Sequence, residues 1–120
     1  MQNVRSDISA RFLDYSANAI RLILRLGRTS VGRHVANQLM RSATSAGANY
    51  EEACAAESRA DFLHKLQIVL KELRESSYWL RIIERSALIR DNDALLGTLL
   101  QETQELSRII GKSIVTAKSN

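Results

Sequence analysis

The segment SRADFLHKLQIVLKELRESSYWLRIIERS, residues 58–86, decides the fold. It contains neither Gly nor Pro, and Phe62, Leu66, Val69, Leu73, Ser76, Leu80 and Ile83 recur at alternating steps of four and three. That rhythm places them on one stripe of an α-helix, and three heptads of it are the pattern of a helix packed lengthwise against others. Ser58, followed three residues later by Asp61, is a variant of the capping box, and Asp61 complements the positive end of the helix dipole. The spacing predicts a helix over residues 59–86, with Ala87 completing its stripe.

The same arithmetic extends outward on both sides. A first helix is predicted over about residues 6–26, burying Ile8, Phe12, Tyr15, Ala19, Leu22 and Leu26. Gly27 stands where a left-handed helix cap is wanted, and Thr29 or Ser30 can cap a second helix over 31–56. Arg90-Asp91-Asn92-Asp93 forms a turn of good cap residues before a fourth helix over 93–117. That helix turns Leu96, Leu99, Thr103, Leu106 and Ile110 inward, with Leu95, Leu100, Ile109 and Ile114 widening the stripe. The 120 residues include no Pro and five Gly, and 45% are hydrophobic. This is the composition of an all-α globular domain. Short connections make sequential helices antiparallel, so the expected architecture is one up-down-up-down four-helix bundle spanning residues 1–120.

Composition also limits function. The single Cys54 excludes an internal disulfide and any cysteine-based metal cluster, and it suits a reducing compartment. The beginning of the chain, MQNVRSDISARF, is interrupted by Arg5, Asp7 and Arg11, so it reads as neither a secretion signal nor a membrane anchor. No uncharged apolar run approaches the length that spans a bilayer. A cytoplasmic protein without membrane association is expected.

One helix differs from the rest. RSATSAGANYEEA, residues 41–53, has no Leu, Ile, Val or Phe. Leu39, Ala43, Ala46, Tyr50 and Ala53 form a mostly small stripe that lets a neighbour approach closely. Beside it run Gln38, Arg41 with Ser42, Ser45, Asn49 and Glu52, polar throughout. Polar side chains at core-like spacing must be satisfied by one another, by a neighbouring helix or by another subunit. Gln38, Arg41, Ser45, Asn49 and Glu52 are therefore expected to form a structural network, with Arg41 paired to Glu52 or to Glu72 or Glu75.

Gln38, Arg41, Ser42, Ser45, Asn49, Glu52 and Ala53 together resemble a motif of the small bacterial four-helix bundle proteins encoded in intervening sequences of large-subunit ribosomal RNA genes. That family also includes the accessory variability proteins of diversity-generating retroelements. The resemblance continues through residues 57–83, where Phe62, Lys71, Glu72, Glu75, Tyr78, Trp79 and Leu80 fall at matching places. Ala46 departs from the β-branched residue common there, and Ala53 from a common Gly. The resemblance implies a homo-oligomer, a pentameric ring or barrel in characterised relatives, with a basic surface. It implies nucleic-acid binding, work with a reverse transcriptase in the retroelement members, and no enzymatic role.

Charge is unevenly distributed. The net charge is +4, and between Tyr15 and Tyr50 there are five Arg and no Asp or Glu. In the expected topology Arg21, Arg25, Arg28, Arg33, His34, Arg81, Arg85 and Arg90 collect at one pole, and Asp7, Glu51, Glu52, Glu57 and Asp61 at the other. Arg21, Arg25 and Arg28 share a face of the first helix, and Lys71, Arg74, Tyr78, Arg81 and Arg85 share one on the third. Guanidinium groups fit phosphate oxygens, and Tyr78 can stack on a base. With Arg33 these make nine residues, the candidate nucleic-acid surface, which would recognise backbone or shape, since no helix-turn-helix, zinc-finger or RNP-like signature is present. The alternative is a scaffold whose basic pole docks an acidic protein without RNA or DNA.

Signs of catalysis are missing. His34 and His64 lie on different helices. Asp61 and His64 have the carboxylate–histidine spacing of di-iron bundles, but the second motif and the inward glutamates of such a site do not occur. There is no phosphate-binding Gly loop. Trp79, with Tyr78 and Ile82, reads as core or subunit interface. No metal, cofactor or small-molecule substrate is expected.

Overall fold

The computed structural model describes residues 2–119, without the side chains of residues 2 and 3. Four helices follow in order: α1 (Gln2–Ile23), α2 (Ser30–Cys54), α3 (Arg59–Arg85) and α4 (Ala94–Ser119). Each is antiparallel to the next, giving an up-down-up-down four-helix bundle 47 Å long. Packing runs α1 on α2, α2 on α3, α3 on α4 and α4 back on α1, so α1 and α3 lie on the diagonal.

The core is the set of stripes that the periodicity marks. Phe12, Tyr15, Ala19, Leu22 and Leu26 meet Leu39, Ala43, Ala46, Tyr50 and Ala53 on the neighbouring helix. Leu66, Val69, Leu73, Leu80 and Ile83 close the core with Leu96, Leu99, Leu106, Ile110 and Ile114. Phe12 stacks on Tyr50 with ring centroids 5.1 Å apart. The small stripe of α2 does allow close approach: a Cβ added at Gly47 would lie 3.3 Å from the Phe12 Cβ of α1. Ile8 and Phe62, expected in the core, are only partly buried.

The caps follow local chemistry, and two turns do not. Thr29 accepts the Gly32 N–H at 2.9 Å, and Ser58 accepts the Asp61 N–H at 3.1 Å. Asp93 accepts the Leu96 N–H at 3.0 Å and starts α4. Gly27 is not the left-handed cap its position suggests, because no glycine has positive φ. The end of α1 instead tightens into i→i−3 bonds, Arg25 N–H to the Leu22 carbonyl and Leu26 N–H to the Ile23 carbonyl. Besides Asn92, with φ 59°, the left-handed residue is Ala87, with φ 55°. It is exposed rather than completing the α3 stripe. The Leu88 N–H reaches back to the Ile83 carbonyl at 3.2 Å, the long bond of a Schellman cap, and this brings Ile89 into the core in place of Ala87. A left-handed alanine costs about 1 kcal/mol that glycine avoids. Ala87→Gly is therefore expected to raise the unfolding free energy by about 1 kcal/mol in urea titration. An unchanged midpoint would show that the turn does not hold this conformation.

Candidate functional site

The polar face of α2 is turned toward α3. Arg41 donates to both oxygens of Glu72, at 2.8 and 3.3 Å, and to Glu75 at 2.6 Å. Glu75 also accepts the Trp79 indole N–H at 3.3 Å. The Glu72 side chain is 8% exposed and that of Arg41 is 50% exposed, so the pair sits at the lip of the groove. Burial pushes the Glu72 carboxyl up. Hydrogen bonds from Arg41 and Ser45, with the nearby charges of Arg41 and Lys71, outweigh that and leave it below its ordinary value. Asn49 donates to the Ser45 carbonyl at 2.9 Å and to its hydroxyl at 3.1 Å. Glu52 is exposed and stands outside this network, and among the described residues Gln38 has no hydrogen-bond partner in it.

Removing Arg41 leaves Glu72 nearly buried with a weaker set of donors. Half-exposure of the arginine reduces the cost from that of a fully buried pair to about 1–2 kcal/mol for Arg41→Ala. The pH dependence has a definite sign. Because folding lowers the Glu72 pKa, the pair stabilises the fold above the ordinary value of 4.5 and is lost as pH falls through the folded value. Urea titrations of wild type and Arg41→Ala should thus differ at pH 7 and converge in acid.

Beneath that groove the four helices share one polar layer. Thr103 of α4 donates to the Leu99 carbonyl at 2.6 Å. Its single hydroxyl proton is then used, so Thr103 accepts from Tyr15 of α1, also at 2.6 Å. Tyr15 is flanked on its other side by Ser76 of α3, which bonds Ser42 of α2 at 2.8 Å. Ser42, Ser76 and Thr103 are fully buried, and no described buried side-chain polar atom lacks a partner. Arg11 adds a bidentate bridge from α1 to Glu102 on α4, at 2.6 and 2.9 Å.

The cations divide into two groups. Lys71, Arg74, Tyr78, Arg81 and Arg85 are all exposed on the face of α3 directly opposite its core stripe. The row covers about 21 Å of helix. Tyr78, Arg81, Ile82 and Arg85 border a shallow cleft of about 340 Å³, and the Tyr78 ring is braced edge-on by Trp79 at 5.3 Å. Trp79 in turn meets His34 of α2 at 5.8 Å. Arg21, Arg28 and Arg33 are exposed near the α1–α2 turn, with Arg21 donating to Asn18 at 2.7 Å. Among the described residues, none of these seven cations forms an ion pair.

Arg25 does not belong with them. It forms a bidentate bridge to Asp93 at 2.5 and 3.3 Å, which ties the end of α1 to the start of α4. That bridge holds the Asp93 carboxyl below its ordinary value. The arginines of α1 and the row on α3 also do not share a surface, because the two helices are diagonal and their outer faces point in opposite directions. They converge only at the pole.

An up-down-up-down bundle with a polar layer through its centre, an Arg41–Glu72–Glu75 clasp and a one-sided basic row defines a small four-helix bundle protein. Residues 13–112 match the profile of the 23S rRNA-intervening sequence protein family, and the chain belongs to that family. The crystal structure of a protein of unknown function from the S23 ribosomal protein family of Bacteroides thetaiotaomicron is similar to it, with a TM-score of 0.81 and 31% identity. The similarity covers 89% of this chain and 97% of that one. A search of curated proteins finds no match. Among the described residues no helix is long and apolar enough to cross a membrane.

Proposed function

We propose that this protein is a non-enzymatic, oligomeric nucleic-acid-binding accessory protein that grips phosphate backbones with the outer face of α3. The observation that carries the reading is the row Lys71, Arg74, Arg81 and Arg85, exposed and without ion pairs among the described residues, with Tyr78 half-exposed among them. Concentrated like charge on one face favours a polyanion, and an aromatic ring between arginines offers a stacking platform for an unpaired base. A structured RNA with single-stranded segments fits this better than a plain duplex. Self-association is supported by Leu13 and Ile20 of α1 and Leu24 just past its end, large apolar residues 69%, 42% and 79% exposed at helical steps. A ring of subunits, a pentamer by family resemblance, multiplies the phosphate contacts. A reverse transcriptase or other ribonucleoprotein enzyme is the protein partner in this reading.

Arg74→Glu/Arg81→Glu is expected to weaken RNA binding by tenfold or more, about the effect of losing two phosphate contacts and adding repulsion. Fluorescence anisotropy with a labelled RNA hairpin checks it. Arg25→Glu is the contrasting variant: it breaks the bridge to Asp93, so stability should fall while affinity changes little. Equal affinity for wild type and Arg74→Glu/Arg81→Glu would move the search to an acidic protein partner.

A further inference from the structure

At the pole opposite the arginines, where α1 and α3 begin and α2 and α4 end, the described residues leave the end of the bundle open. A cleft of about 680 Å³ opens between the helix ends. Its floor is apolar and comes from all four helices: Ile8 of α1, Tyr50 of α2, Phe62 and Leu66 of α3, and Ile109 of α4. This explains why Ile8 and Phe62, which periodicity puts in the core, are only partly buried: they face the cleft.

The rim is cationic. Asp7, Glu51, Glu52, Glu57 and Asp61 stand at the same pole, yet no described Asp or Glu lines the cleft, whereas Arg5, Arg59 and Lys112 do. The Arg5 guanidinium lies 5.4 Å from the centre of the Phe62 ring, which holds the cation at the mouth. Along α4 the lining runs from Ile109 past Lys112 to Thr116, about 10 Å, the reach of a medium-length alkyl chain.

We propose that this cleft binds an amphipathic organic anion, its hydrocarbon chain over Ile8, Phe62 and Leu66 and its carboxylate between Arg5 and Lys112. An apolar cleft of a few hundred Å³ with a small number of placed charges is the usual form of a small-molecule site. Inorganic phosphate would gain nothing from the floor, and a neutral hydrocarbon nothing from the cations. The anion is a ligand and not a substrate, and its site shares no residue with the row on the outer face of α3, so this inference stands independently of nucleic-acid binding.

Cys54, the only cysteine, lines the cleft, so its thiol reports occupancy. The experiment follows alkylation of Cys54 by iodoacetamide with sodium decanoate or decyltrimethylammonium present below their micellar concentrations. Decanoate at ten times its Kd is expected to slow the reaction about tenfold. Decyltrimethylammonium is expected to leave the rate unchanged. Arg5→Glu/Lys112→Glu, both on the exposed rim, should abolish the decanoate effect without lowering the melting temperature. Absence of protection by decanoate, equal protection by the cationic amphiphile, or protection that survives the double reversal would each overturn the proposal. So would protection by phosphatidylglycerol vesicles without any by free decanoate, which would reassign the cleft to a membrane surface.

Discussion

Gly32→Ala is expected to destabilise the protein by about 3 kcal/mol, although alanine ordinarily favours a helix over glycine by about 1 kcal/mol. The sign reverses because the Leu26 carbonyl rests against this position. A Cβ at Gly32 would lie 1.9 Å from that oxygen and 3.1 Å from its carbon. Both atoms are backbone, so no rotamer change relieves the overlap, and the α1–α2 turn has to shift. Thr29 would be displaced with it, since its hydroxyl caps α2 through the Gly32 N–H. The other helical glycines form an internal scale. Gly47→Ala meets the Phe12 Cβ at 3.3 Å and should cost less, whereas Gly111 has nothing within 4 Å and its alanine variant should stabilise by about 1 kcal/mol. Urea midpoints for the three variants test the order, and a stable Gly32→Ala protein would mean that α1 and α2 do not meet as described.

Thr103→Val should cost about 1–3 kcal/mol, the penalty for leaving a buried donor unsatisfied. Valine keeps the shape but removes the acceptor of the Tyr15 hydroxyl, which lies 2.6 Å away. Burial raises the Tyr15 pKa, so the hydroxyl stays protonated and needs an acceptor. Adding Tyr15→Phe removes the orphan. The double variant is thus expected to be more stable than Thr103→Val alone, a coupling that a double-mutant cycle measures. Strictly additive costs would show that the two hydroxyls do not depend on each other.

Why the polar layer escapes the sequence is instructive. Ser76 and Thr103 fall on core stripes and read as small packing residues, Ser42 as a neighbour of Arg41, and Tyr15 as plain core. Nothing within one helix indicates that the four hydroxyls lie at one height, because that depends on the register of every helix against its neighbours. The stripes themselves are legible because burial follows a period of 3.6 residues regardless of partners. Thr29 and Ser58 are legible for a similar reason, since a cap bonds its own helix. The Ala87 turn is not, because the burial of Ile89 overrides the local cost of a left-handed alanine.

The candidate surface divides in the same way. That Lys71, Arg74, Tyr78, Arg81 and Arg85 face solvent follows from their offset to the α3 stripe, and the structure adds that the four cations form no ion pair among the described residues and that Trp79 braces Tyr78. Arg25 misleads because its partner, Asp93, is 68 residues away, and only closure of α4 against α1 brings them together. The separation of the α1 and α3 cations onto opposite sides likewise depends on topology rather than on helical period. Of the α2 motif that resembles the family, Arg41 and Ser45 meet Glu72 of α3, whereas Lys71 and Tyr78 belong both to the matching residues of α3 and to the row proposed to bind nucleic acid.

The central claim is that the α3 row reads phosphates, and salt dependence tests it most directly. Anisotropy titrations with a labelled RNA hairpin at 50 and 200 mM salt should show affinity falling by about 10³–10⁵ if an oligomer engages six to ten phosphates. Affinity that does not change with salt, or no binding at 50 mM, would contradict it.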